Sequence, residues 1–312
     1  VTVSVFIDGA IGTTGLEIGE RLSGRAGLSL IRLDDAVRKD TAARAEAMND
    51  ADFVILCLPD DAARDAMTLI RNEHVRVIDA SSAHRVVPGW TYGFAEMHEG
   101  QRQVIGNSWR VSNPGCYPTG FLALVAPLVE RGLLPANHGY TVNAVSGYSG
   151  GGNALINRFR MEEPDIGFRT YALDMVHKHL AEMQVHAALD RAPLFAPSVV
   201  RAMRGMMVEV PLFLDSDAGF ASARELHDAL SAHYLGEPLA NVMPMENTPA
   251  EILLSENMVP SDALTLHVLS SADGSQVRLI AVLDNLGKGA SGAAVQNLNI
   301  MAGLDELAGL RI

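Results

Sequence analysis

Glycines recur at every third position in Gly9-Ala10-Ile11-Gly12-Thr13-Thr14-Gly15, between a β-branched run, Val1 to Ile7, and a segment with helical spacing, Leu16 to Leu22. A G-x-x-G-x-x-G turn joining strand to helix is a variant of the dinucleotide fingerprint. Its glycines permit the tight turn and let a pyrophosphate approach the N-terminal amides of the helix. A glycine turn without a ligand is the competing reading; the strand-turn-helix setting favours the nucleotide.

The next residues extend that pattern. Val3–Ile7, Leu28–Leu33, Phe53–Leu58 and Arg76–Asp79 read as strands, with helices centred near Leu16, Arg44 and Met67. The strands are apolar at nearly every position, as they must be when helices cover both faces of a parallel sheet. A doubly wound, Rossmann-type α/β domain is therefore expected at the N-terminal side. After the second strand, Asp34 and Asp35 suit a ribose 2′-hydroxyl and hence NAD, whereas Arg38 and Lys39 suit the 2′-phosphate of NADP. A merely solvated charged loop is the third reading.

Beyond Cys116 longer β-rich segments take over, including Tyr140–Ser146 and Val208–Leu214. Leu264–Ser270 and Gln276–Leu283 flank Asp273-Gly274, a hairpin signature. This part is expected to be an α+β domain with a mainly antiparallel sheet and helices on one side. Ala290 to Leu307 reads as a helix whose packing partner periodicity does not reveal.

Bulk properties narrow the function. The 312 residues, 48% of them hydrophobic, suffice for about two domains. A net charge of -13 repels nucleic acid and anionic membranes, so an anionic small molecule has to be held by local cations and backbone amides. No signal peptide or membrane-length apolar run is read, and two cysteines are too few for a disulfide framework; a reducing cytoplasm is expected.

Ser112-Asn113-Pro114-Gly115-Cys116-Tyr117-Pro118-Thr119 precedes an apolar helical run, Gly120 to Val129. Proline and glycine end the preceding strand, which puts Cys116 at the positive end of a helix. There a thiolate is stabilised, and the neighbouring amides can receive an oxyanion. Cys57, inside an apolar strand, reads as a small core residue. A thiol nucleophile needs a base, and His177-Lys178-His179 with Glu182 three residues on offers imidazoles and a carboxylate to orient them. A surface cluster is the alternative.

These motifs, with Ser146-Gly147-Tyr148-Ser149-Gly150-Gly151-Gly152 and Leu286-Gly287-Lys288-Gly289-Ala290-Ser291-Gly292, resemble the N-acetyl-gamma-glutamyl-phosphate reductase family, in its shorter type. The resemblance spans essentially the whole chain. It implies NADPH-dependent reduction of an acyl phosphate, through a thioester on Cys116, to N-acetylglutamate semialdehyde in arginine biosynthesis. It also implies a homo-oligomer, dimer or tetramer, and a C-terminal helix that completes the nucleotide domain. The domains would then be 1–115 with 286–312, holding NADP(H), and 116–285, catalytic and oligomer-forming.

Carried over on that resemblance, Cys116, His179, His177 and Glu182 are catalytic, with the choice between the histidines open. Gly9, Ile11, Gly12, Thr13, Thr14, Gly15, Arg38, Lys39, Ser82, Gly150, Asn285, Gly287 and Lys288 meet the cofactor, and Asn113, Arg85 and Ser149 the substrate; no metal is expected. For Arg85 a structural salt bridge competes, for Gly150 to Gly152 a flexible loop, and for Gly287 to Gly292 a plain helix entry. Where longer members have a Ser-Ala-Asp-Phe-Arg type segment, this chain has Ser82-Ala83-His84-Arg85. Two other functions stay open: an acyl-phosphate reductase for another acid such as aspartyl phosphate, whose amine Glu162 or Glu163 could meet, and a nucleotide sensor without catalysis.

Overall fold

The computed structural model describes residues 2–214 and 219–312; Val1, which heads the opening run, lies outside the described residues. The chain divides into two compact units. The first takes Val1–Ala95, Gly100–Pro114 and Ala290–Leu310, the second Glu96–Glu99, Gly115–Gly289 and Arg311–Ile312.

The first unit opens with β1 (Val3–Asp8), α1 (Thr13–Leu22), β2 (Leu28–Ile31), α2 (Thr41–Asp50), β3 (Phe53–Leu56), α3 (Asp60–Leu69) and β4 (Arg76–Asp79). It continues through β5 (Thr91–Tyr92), α4 (Gln101–Asn107) and β6 (Arg110–Ser112). The strands form one six-stranded sheet in the order β2-β1-β3-β4-β6-β5, every pairing parallel. Val5, Ile7, Ile55, Ile78 and Val111 bury one face of it with Ile18, Leu22 and Ile105. Phe6, Val54, Leu56 and Val77 bury the other against Met48, Ala63 and Ala66. Helices thus cover both faces, as strands without polar alternation require.

The helix expected at 290–307 runs from Gly292 to Ala302, here α9, after a wide turn over Gly287–Ser291. Ala294, Val295, Leu298 and Met301 enter the same core as Ile18 and Ile105, so this late helix is part of the first unit. Two of its buried amides brace the unit. Asn297 Nδ2 donates to the Gly93 carbonyl at 2.9 Å, and Asn299 accepts from Arg25 Nη2 at 2.9 Å.

The second unit is built on α5 (Cys116–Glu130), buried from Tyr117 to Leu128. Following it are β7 (Thr141–Gly147), α6 (Gly152–Asn157), β8 (Phe168–Thr170), α7 (Leu180–His186), β9 (Leu194–Val200) and β10 (Met206–Phe213). Then come α8 (Ala223–His233), β11 (Ala240–Val242), β12 (Leu264–Ser270) and β13 (Gln276–Leu283). Seven strands order as β11-β12-β13-β10-β7-β9-β8. Most pairings are antiparallel, but β11 with β12 and β7 with β9 are parallel, so the sheet is mixed. The helix packs closely on it: a Cβ at Gly120 would lie 2.7 Å from the Val208 side chain.

Candidate active site

In the first unit the glycine turn is a steric requirement. Gly9 has φ +87°, and a Cβ there would stand 2.3 Å from the Cys57 carbonyl oxygen; one at Gly15 would stand 2.4 Å from the Gly9 carbonyl oxygen. Gly12 caps α1 without a side-chain bond, an arrangement suited to an anion at the helix start. Beside the turn lies a groove of about 800 Å³, lined by Gly9, Ile11, Gly12 and Gly15 and by Arg32, Arg38, Lys39 and Arg44. Thr13 and Thr14 form the first turn of α1 and are not among its lining. A cradle that any Cβ would fill, flanked by cations, fits a phosphorylated dinucleotide.

Two of those cations escape a reading of the sequence. Arg32 directly follows β2, and Arg44 on α2 grips buried Asp8, Nη2 to Oδ2 at 2.7 Å. Asp35, one of the two acids that would favour NAD, is exposed and turned to Arg38 at 3.2 Å. Cys57 lies just past β3, not within a strand, and lines the groove. Burial, followed by the carboxylates of Asp79 and Asp8, pushes its thiol up to about 12, which favours the protonated form over the nucleophilic thiolate.

The residues after β4 are stitched inward. Ser82 Oγ donates to Asp60 at 2.6 Å, and His84 meets Asp79 at 2.6 Å while stacking on Trp90. Arg85 is buried and donates to the carbonyls of Asn113 at 2.9 Å and Ala80 at 3.1 Å. Asn113 in turn donates to the Ala290 carbonyl at 2.9 Å and accepts from Asn297 at 3.1 Å. Bracing of loops is thus the visible work of Ser82, Arg85 and Asn113.

In the second unit Cys116 is the first residue of α5, and the N-cap, Gly115, again offers no side chain. The amide of Gly115 instead donates to Glu182 Oε1 at 2.7 Å, in a fully buried contact. Glu182 sits in the first turn of α7, whose N-cap is buried His179. The carboxylate expected to orient a histidine therefore also fastens the histidine-bearing helix to the start of the cysteine-bearing one.

The imidazoles of His177 and His179 lie 4.7 Å apart, and Tyr117 meets His179 at 5.9 Å between ring centroids. His177 Nδ1 accepts from the His179 amide at 3.1 Å. Burial first, then Lys178, lowers His177 to about 4. Its Nε2 is 3.4 Å from the Tyr171 hydroxyl, which donates to the Tyr117 hydroxyl at 3.4 Å. Burial raises both phenols, Tyr171 to about 12, so they stay protonated donors; both also feel the charge of Cys116. Tyr171 has no local signal in the sequence, because only the fold brings it to the histidines.

Asn285 is a brace of the same unit: Oδ1 accepts from the Gly205 amide at 2.9 Å, and Nδ2 donates to Ser149 Oγ at 2.8 Å. That bond holds the loop of Gly150, where a Cβ would approach Asn285 Nδ2 to 3.5 Å. Gly287 is demanded by the Ser261 carbonyl, 1.9 Å from where its Cβ would be. Lys288, read as a cofactor contact, buries its ammonium against both Glu96 oxygens at 2.8 Å. Gly289 presses on the nucleophile, since a Cβ there would lie 2.8 Å from that of Cys116. Glu163 pairs with Arg158 at 2.8 Å. Among the described residues there is no cluster of metal-ligating side chains, and no helix is long and apolar enough to cross a membrane.

A parallel dinucleotide sheet in one unit and a cysteine opening a helix in the other define a semialdehyde dehydrogenase-type protein. The family model described as "Semialdehyde dehydrogenase, NAD binding domain" matches residues 10–105, and "Semialdehyde dehydrogenase, dimerisation domain" matches 116–285. Sequence relatives narrow the class. The N-acetyl-gamma-glutamyl-phosphate reductase of Rhizobium meliloti (strain 1021) is 48% identical over 304 residues, 95% of this chain and 98% of the relative. That of Brucella ovis is also 48% identical, over 305 residues, 96% of this chain and 98% of the relative. The chain belongs to the N-acetyl-gamma-glutamyl-phosphate reductase family. Its fold is shared with aspartate semialdehyde dehydrogenase II of Vibrio cholerae, solved with ASA, at 15% identity and TM-score 0.68 over 97% of this chain and 99% of that one. The aspartate semialdehyde dehydrogenase of Candida albicans, solved with NADP, aligns at 13% identity and TM-score 0.65, over 97% and 99%.

Proposed function

We propose that this chain reduces N-acetyl-L-glutamyl 5-phosphate to N-acetyl-L-glutamate 5-semialdehyde and phosphate with NADPH, a step of arginine biosynthesis. The observation that carries the chemistry is Cys116 at the first position of α5, tied through Gly115 and Glu182 to the helix of His179. The Cys116 sulfur attacks the acyl carbon, the helix amides receive the oxyanion, and phosphate leaves a thioester. Gly9, Gly12 and Gly15 would hold a reduced nicotinamide nucleotide, which would supply the hydride that takes the thioester to a hemithioacetal. The resulting hemithioacetal collapses, freeing the aldehyde and the Cys116 thiolate.

His179 moves the proton. His177, whose Nδ1 is occupied by the His179 amide and whose ring resists protonation near neutral pH, orients its neighbour. Gly9, Ile11, Gly12 and Gly15 hold the pyrophosphate, and Arg38, Lys39 and Arg32 receive the 2′-phosphate. Residues 1–115 and 286–312 form the nucleotide domain and 116–285 the catalytic domain. A dimer or tetramer is the working form, supported by the match to a dimerisation domain. The cytoplasm is its compartment, since the thiol must stay reduced.

The test is phosphate-dependent NADP reduction with N-acetylglutamate semialdehyde, beside aspartate semialdehyde and a Cys116→Ala variant. Turnover of the acetylated aldehyde alone, lost in a variant that still binds NADPH, is expected. Turnover of neither aldehyde overturns the proposal.

A further inference from the structure

The substrate just proposed is a dianion or more. Besides the phosphate it carries a carboxylate, separated from the reacting carbon by a short aliphatic chain. A protein with a net charge of -13 gives such a molecule no general attraction, so a specific cation must face it. In the second unit most cations near the site in sequence are already committed. Arg158 pairs with Glu163, Arg201 with Glu256 and Arg204 with Asp284.

Arg169 differs. It lies on the edge strand β8, opposite Val199 of β9. Its neighbours Phe168 and Thr170 are exposed, while Arg169 is half-buried. Alternation along a strand therefore places Arg169 and Tyr171 on the inward side. There Val199 and Tyr171 pack with Tyr148 and Phe159, in the segment that carries Ser149 and Gly150. The Arg169 guanidinium lies over the Tyr171 ring, 4.6 Å from its centroid. It has no acidic partner among the described residues.

Stacking fixes the plane of a guanidinium and leaves its edge N–H groups available for a planar, bidentate acceptor. Tyr171 is the same ring whose hydroxyl reaches His177 and Tyr117, and it feels the charges of both Cys116 and Arg169. Tyr171 thus carries a guanidinium without an acidic partner among the described residues over its ring and the Tyr117 and His177 contacts at its hydroxyl. We propose that Arg169 clamps the carboxylate of the substrate and so determines which aldehydes and acyl phosphates are accepted. The inference rests on the function proposed above.

The experiment compares the parent enzyme with Arg169→Met and Arg169→Lys on two aldehydes, N-acetylglutamate semialdehyde and the same compound with its carboxylate as a primary amide. Loss of a bidentate charge-assisted pair raises KM for the acid about 10- to 100-fold in Arg169→Met, with kcat within about 3-fold and KM for the amide unmoved. Arg169→Lys recovers part of the loss. An equal change on both aldehydes, or none on the acid, overturns the inference. A second readout needs no turnover: protection of Cys116 from iodoacetamide by N-acetylglutamate, expected in the parent and lost in Arg169→Met. If the parent turns over neither aldehyde, the proposed function fails, and protection that depends on Arg169 still upholds the clamp. Protection that is equal in both proteins, or absent from the parent, sinks it.

Discussion

Glu182 makes the most direct structural claim on the nucleophile, and its removal can be worked through. Oε1 accepts the Gly115 amide at 2.7 Å with both groups buried. Glu182→Ala forfeits a charge-assisted hydrogen bond and strands a buried N–H, which together cost about 2 to 4 kcal/mol of stability. Glu182→Gln keeps an acceptor oxygen, so its cost is about 1 kcal/mol. The charge acts separately on the thiol, because a carboxylate at the start of α5 opposes the helix field that favours a thiolate at Cys116. With the charge gone, the midpoint of Cys116 alkylation should fall by roughly one pH unit in Glu182→Gln. Denaturant unfolding gives the first quantity, and iodoacetamide labelling across pH, read by mass spectrometry, the second. A Gln variant with an unchanged or higher midpoint, beside an Ala variant as stable as the parent, would refute the coupling.

Two further outcomes follow from the same geometry. Gly289→Ala puts a methyl 2.8 Å from the Cys116 Cβ and 3.2 Å from the Asp284 carbonyl. Turnover should drop about 100-fold while NADPH affinity, measured by titration, holds. His177 sits at about 4, below its ordinary 6.5. Above 6.5 it is neutral folded or unfolded and contributes nothing to the pH dependence. Between 6.5 and 4 only the unfolded chain takes the proton, so stability falls with falling pH. After allowance for partial exposure the loss is on the order of 2 kcal/mol. Unfolding at pH 7 and pH 5 should show a larger drop for the parent than for His177→Gln; equal drops would contradict the assignment.

The elements legible in the sequence are those decided locally. The Asp273-Gly274 turn and its flanking strands fall where the residues put them, with Gly274 at φ +74°. The glycines at 9 and 15 are needed for the reason their spacing suggests, although the atoms that forbid a side chain at Gly9 belong to residue 57. What escapes the sequence is long-range. Lys288 looks like a free cation beside a glycine turn until Glu96 meets it, 192 positions away. Arg85 looks like a phosphate holder, and its bonds to the Asn113 and Ala80 carbonyls have no sign in the sequence. Arg44, Tyr171 and Arg169 belong to no motif in the sequence. The mixed pairing of the second sheet is hidden likewise, because parallel and antiparallel strands bury the same residue types.

The place of α9 in the first core has a consequence for how the protein comes into being. Asn299 and Arg25 bond across 274 positions, and Ala294, Val295, Leu298 and Met301 complete a hydrophobic layer whose other buried members lie between Val5 and Val111. During synthesis that layer stays open until nearly all of the second unit has left the ribosome. The nucleotide-binding half, though made first, is therefore finished last, and a chain stalled before α9 exposes Ile18 and Ile105 to chaperones or to aggregation.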